Sequence, residues 1–147
     1  MTTVRPLTPD DRAGWEPLWE GYLRFYRAEP TPAWSERTFT ALTGGDERVA
    51  GLLAVSSDGR PVGLAHLVFH ASTWSSQDSC YLNDLFVDPD TRGTGAGKAL
   101  IEATYAAAAA RGAATVYWHT QEFNFAARSL YDTVASLTSF RVYEHEL

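Results

Sequence analysis

Cysteine is almost absent from this sequence: Cys80 stands alone among 147 residues, which excludes an internal disulfide and any cysteine-based zinc site. Its place in the apolar run 80–87 points to a buried structural thiol rather than a nucleophile. A basic excess is missing as well. Twelve Lys and Arg against 18 Asp and Glu give a formal net charge of −6, so no cationic surplus exists to displace counterions from nucleic acid, and no nucleic-acid partner is expected. Long apolar runs are lacking too. The alanine run at 106–110 is too short to cross a bilayer, and residues 1–10 hold no apolar stretch of the signal-peptide kind, so a soluble, cytoplasmic protein with no membrane partner is expected.

What the chain does have is 45% hydrophobic and 13% aromatic residues, enough for one well-buried core and too short for two ordinary domains, so 1–147 is expected to be a single domain. A short strand at 4–6 is followed by capping residues at 8–11 and a helix to about Arg27, with Trp15, Trp19, Tyr22 and Tyr26 along one face and Pro17 in its first turn or at a kink. A second helix is expected at 33–42, ended by Gly44-Gly45. Apolar strands at 48–56 and 61–70 joined by Asp58-Gly59 read as a hairpin. Another strand occupies 80–87, then a helix starts near Gly97 and closes at Gly112, a strand fills 114–120, a helix follows Asn124, and a last strand is expected at 140–145. The class is mixed α/β, with a mostly antiparallel sheet containing one strand–helix–strand crossover.

The segment 88–100, Asp-Pro-Asp-Thr-Arg-Gly-Thr-Gly-Ala-Gly-Lys-Ala-Leu, sets a glycine-rich loop between strand and helix. Such a junction grips phosphate: Gly93, Gly95 and Gly97 let backbone N–H groups of the loop, including those of Thr94 and Ala96, converge, the helix N-terminus adds partial positive charge, and Arg92 and Lys98 add full charges. A Walker A loop does not fit, because Arg92 replaces its first glycine and Ala99 its Mg²⁺-binding hydroxyl. A dinucleotide G-x-G-x-x-G fails at Lys98 or at Leu100, depending on the starting glycine.

R-x-x-G-x-G fits, through Arg92, Gly95 and Gly97, and a second pattern, N-x-x-A-x-x-L-Y, runs through Asn124, Ala127, Leu130 and Tyr131. Together these motifs resemble the GNAT N-acetyltransferase superfamily, bacterial and fungal amine acetyltransferases in particular. The likeness extends to 80–87, 116–118 and 140–143, with Ser139-Phe140 after a longer link where the family commonly has Gly-Phe. The resemblance implies a sheet with splayed strands and acetyl-CoA as cosubstrate, without a metal. It implies pyrophosphate held by the loop and the pantetheine arm beside the backbone of Leu85, Phe86 and Val87, with Asn124 contributing to the cofactor site. Acetyl transfer to the primary amine of a small molecule, amino acid, polyamine or peptide lysine would follow, by direct attack in a ternary complex; a homodimer is compatible with it. A noncatalytic CoA-binding sensor on the same fold is the alternative.

Amide formation needs a neutral amine, an oxyanion stabiliser and a proton for the departing thiolate. Tyr131 is the candidate acid, with the small Ala127 on the same helix face leaving room for the cofactor sulfur. Asp84 is the candidate base: on simple alternation it shares a face with Cys80, Leu82 and Phe86, where an unpaired carboxyl has a raised pKa, although a structural ion pair to an arginine, or a turn contact, explains it equally well. Tyr81, Asn83, His66 and His70 are further groups able to relay a proton. The acceptor pocket is expected against the first helices, where Tyr22, Phe25 and Tyr26, near Glu20 and Glu29, offer aromatic faces and carboxylates to a cation.

Overall fold

The computed structural model describes residues 1–147. Five strands, β1 (Thr2–Pro6), β2 (Val49–Ser56), β3 (Pro61–His70), β4 (Ser79–Val87) and β5 (Thr115–Tyr117), lie side by side in chain order. The first four pair antiparallel, and β5 returns parallel to β4 after the helix α3 (Ala96–Ala110). The β2–β3 turn forms as the Asp58-Gly59 pair dictates. Gly59 takes φ +84°, which favours glycine, and the Asp58 carboxylate accepts from the Ser56 hydroxyl and the Arg60 N–H.

The two faces of the sheet carry separate cores. α1 (Arg12–Phe25) and α2 (Pro32–Thr43) cover one face, where Trp15, Leu18, Trp19, Leu23 and Phe39 pack on Leu53, Leu64 and Phe86. α3 covers the other, setting Ala96, Leu100, Ile101 and Ala108 against Ala65, Leu67, Cys80 and Leu82, and α4 (Phe125–Val134) adds Leu130 and Tyr131 beside it. A short 3-10 turn at Pro9–Asp11 precedes α1, and there the Asp11 carboxylate accepts from the Thr8 N–H at 2.7 Å and from both arms of Arg5 at 2.8 Å. Pro17 lies inside α1, beyond the first turn, where its ring leaves the helix one N–H short. Thr31 caps α2 by accepting from the Trp34 N–H.

An irregularity in β4 corrects the simple alternation. His66 pairs with Asp84 but Leu67 pairs with Leu82, so Asn83 is an extra residue and every side chain after it changes face. Cys80 and Leu82 therefore belong to the α3 core, whereas Asp84 meets His66 and Phe86 joins the α1 core. The strand expected at 114–120 is paired only over 115–117. The last strand, expected at 140–145, does not form: residues 136–147 have no regular structure, and Phe140, Val142 and Tyr143 stand exposed.

Candidate active site

Pairing between β4 and β5 stops at Tyr81 and Tyr117, leaving one edge of β4 open from Leu82 to Val87. Asp88 N–H bonds back to Val62 on the β3 side, and the two-residue period of the ladder then puts the Phe86 backbone on that side as well. The polar backbone groups of Leu85 and Val87 face the open edge.

Beyond the edge the chain makes a 3-10 turn at Pro89–Thr91, capped by the Asp88 side chain, and enters α3 through Gly93 (φ +82°) and Gly95 (φ +86°). Both positions demand the left-handed conformation that glycine adopts without strain. The first α3 bond runs from Ala99 N–H to Gly95, so the consecutive N–H groups of Gly93, Thr94, Gly95, Ala96, Gly97 and Lys98 donate to no oxygen of the protein. A run of unpaired donors at the N-terminus of a 15-residue helix fits a pyrophosphate. Arg92 is exposed and free of ion pairs, and Lys98 has only a loose contact of 3.8 Å with Glu102. Gly97 plays a different part: a Cβ there would come within 3.3 Å of Leu130, so it lets α4 approach the start of α3.

A cavity opens where β4 and β5 part, and it is lined from both faces of the sheet. Leu82, Leu85, Trp118 and Tyr131 come from the α3 side, and Tyr22 and Tyr26 from α1. Tyr131 sets its ring edge-on to Trp118 at 5.3 Å, and its hydroxyl has no protein partner. Burial, with a smaller contribution from Tyr26, pushes the Tyr131 phenol above its ordinary pKa, so it keeps its proton at neutral pH. Asn124 caps α4, its side-chain oxygen accepting from Ala127 N–H.

Asp84 is neither unpaired nor bound to an arginine. Its carboxylate is 2.8 Å from His66 Nδ1, and Asn83 Nδ2 donates to its other oxygen at 2.9 Å. Trp15 Nε1–H donates to His66 Nε2 at 3.0 Å, which leaves Nδ1 to carry the imidazole proton and donate it to Asp84. Burial pushes the Asp84 carboxyl upward, but its interaction with His66, aided by the hydrogen bond from Asn83, outweighs it and holds the carboxyl below the ordinary carboxylate range. His66 is buried in this chain of bonds. His70, four residues on, is exposed and sits against Tyr117, its Nε2 2.6 Å from the Tyr117 hydroxyl.

The aromatic residues of α1 divide along the helix. Trp15 and Trp19 stack at 5.6 Å within the core, Trp19 and Tyr22 at 5.9 Å, and Tyr22 meets Tyr26 at 5.1 Å in the cavity wall. Phe25 is exposed beside Tyr26, Glu20 pairs with Arg24, and Glu29 is exposed; none of the three lines the cavity. One residue of the site was not singled out in the sequence. His119 follows β5, lines the cavity, and lies with Nδ1 3.2 Å from the Tyr81 hydroxyl. Its two-residue spacing from Tyr117 was the available signal.

A helix start with free N–H groups, an open strand edge and a half-buried tyrosine thus lie around one cavity. Residues 15–134 match the model of the acetyltransferase (GNAT) family. The chain is 32% identical over 142 residues to the D-amino-acid N-acetyltransferase HPA3 of Saccharomyces cerevisiae, covering 96% of this chain and 88% of that one. It is 33% identical over 129 residues to the uncharacterized N-acetyltransferase YhfO of Bacillus subtilis, covering 88% and 85%. The fold matches the structure of AAC(6')-Iy in complex with a bisubstrate analog, CoA-S-monomethyl-acetylneamine, with a TM-score of 0.85 at 19% identity over 100% of this chain and 98% of the other. The chain belongs to the GNAT acetyltransferase family and is an acyl-CoA-dependent acetyltransferase.

Proposed function

We propose that this protein transfers the acetyl group of acetyl-CoA to a primary amine, the two substrates meeting in the gap between β4 and β5 from opposite faces of the sheet. The observation that carries this is the cavity itself, which joins the Tyr131 side to the Tyr22 and Tyr26 side through the opening where the strands part. Pyrophosphate binds the free N–H groups from Gly93 to Lys98, with Arg92 and Lys98 adding charge. The pantetheine amides run along the open edge and bond the backbone of Leu85 and Val87 as a further strand would, while the Phe86 ring packs in the α1 core. Asn124 fixes the start of the helix that presents Tyr131.

The amine attacks the thioester carbonyl directly, because the lone thiol is closed to the substrate. Cys80 is fully buried, and burial pushes its thiol up to about 11. The tetrahedral intermediate collapses with loss of CoA thiolate, which takes the Tyr131 phenolic proton; Tyr131 regains one from the departing N–H through water. Asp84 stays ionised as the fixed negative charge on the acceptor side, where the cavity carries no lysine or arginine. Aromatic walls near a carboxylate favour an ammonium substrate, in keeping with the chemistry for which HPA3 is named.

Replacement of Tyr131 by Phe tests the reading: the ring packing remains and only the O–H goes. CoA affinity should hold while turnover, read as thiol release with a panel of amines, falls by about 10²–10⁴-fold. Unchanged turnover would remove Tyr131 from the chemistry.

A further inference from the structure

We propose that the Tyr81–His119 pair, rather than Asp84, takes the proton that the acceptor ammonium must lose before it can attack. This inference rests on the acetyl-transfer reading above. An amine that arrives protonated has no lone pair, so a group on its side of the cavity must accept one proton and pass it to solvent.

Asp84 is poorly suited to that task. Both its oxygens are engaged, by His66 and Asn83, and its carboxyl is held below the ordinary range, so it is a weak acceptor at neutral pH. His66 is no better placed, because Trp15 occupies its remaining nitrogen and the ring is buried. The His119 ring lies against Tyr81 on β4 and Tyr117 on β5, and the cavity that it lines also carries Tyr22 and Tyr26 from the end of α1 and Tyr131 from α4, with no carboxylate, lysine or arginine in its wall. Asp84 is the carboxylate whose charge reaches Tyr26 and Tyr81.

Within this group the Tyr81 hydroxyl and His119 Nδ1 are 3.2 Å apart, and the Tyr81 ring is clamped by a stack on Tyr117 at 4.9 Å. Tyr117 is held in turn by His70 at 2.6 Å. Burial raises the Tyr81 phenol, so it keeps its proton, and with the His119 proton on Nε2 the phenol donates to Nδ1. When the ammonium gives a proton to the Tyr81 oxygen, Tyr81 passes its own to Nδ1, and the pair holds one added proton as imidazolium. The freed amine attacks, and His119, which is exposed, returns the proton to water. The neutral phenol is restored and no other reactant is consumed.

The test is the pH dependence of kcat/KM for the full chain, with His119→Gln and Tyr81→Phe measured beside wild type, and CoA-induced thermal stabilisation as the control for fold and cofactor binding. Both variants should keep the CoA response and lose roughly 10²-fold or more in kcat/KM near pH 7. The deficit should shrink as pH approaches the pKa of the amine, where the acceptor arrives neutral and needs no base. A deficit equal at every pH, a lost CoA response in both variants, or wild-type rates near pH 7 would overturn the assignment. A wild-type protein that binds CoA and acetylates no amine would contradict the acetyl-transfer reading itself, a separate outcome visible before any variant is made.

Discussion

Asp84 shows how one residue's role depends on its neighbours. A lone carboxyl on an apolar strand face is pushed toward its neutral form, but here His66 and Asn83 meet it and burial loses. Asn83 adjoins it in the sequence, but no feature of residues 80–87 announces His66, which the pairing of β3 with β4 sets against Asp84 and which Trp15 of α1 holds by its other nitrogen. Cys80 is the opposite case, where the local sequence was sufficient: an apolar strand around a lone thiol gave a fully buried residue. Cys80→Ala should cost about 1 kcal/mol of stability, from the small void left in the α3 core, and leave turnover unchanged. Chemical denaturation and thiol-release assays on the same preparation check both, and a trapped acetyl-Cys80 competent for transfer would contradict direct attack.

Among the elements, the turn through Gly93 and Gly95 was legible, since their spacing records backbone requirements that no tertiary contact supplies, whereas the need for Gly97 comes from the approach of Leu130 and was not. Nothing lies within 4 Å of a Cβ built on Gly95, yet its φ of +86° excludes a β-branched residue. Gly95→Val should therefore re-aim the N–H groups at the start of α3 without disturbing the core. Wild type at about 100 times the Kd of CoA should gain about 2.7 kcal/mol, a Tm rise of about 5–10 °C, and the variant should lose most of it. An undiminished shift in a scanning-fluorimetry titration would place the pyrophosphate elsewhere. β4 was legible as a strand but its faces were not, because period-two reasoning carries no sign of the extra residue at Asn83. His119 was missed for a related reason: its importance comes from the gap between β4 and β5, which exists only once their pairing stops. The expected strand at 140–145 rested on its Phe, Val and Tyr content, and β-propensity without a neighbouring strand to bond does not make one.

Across the whole molecule, five depressed carboxyls link folding to pH, and Asp11 and Asp84 are the two that the fold shields from solvent. Asp11 is lowered chiefly by its hydrogen bonds from Arg5, and Asp84 by the donors around it. A carboxyl whose folded pKa is below its unfolded value stabilises fully above about pH 4 and loses that contribution as pH falls toward the folded pKa. Thermal stability should thus decline below pH 4. Asp11→Asn should lower Tm at pH 7 and narrow its gap to wild type as the pH approaches 2; a constant gap in circular-dichroism melts would show that the pair stabilises by geometry alone. The same fold that buries these groups also parts its sheet at one place, and the account stands on both substrates occupying that gap together. Initial rates of thiol release, with acetyl-CoA and a reactive amine varied against each other, test this most directly. Intersecting double-reciprocal lines with N-acetylated amine as product are predicted; parallel lines with an acetyl-enzyme, or thiol release indifferent to the amine, would contradict it.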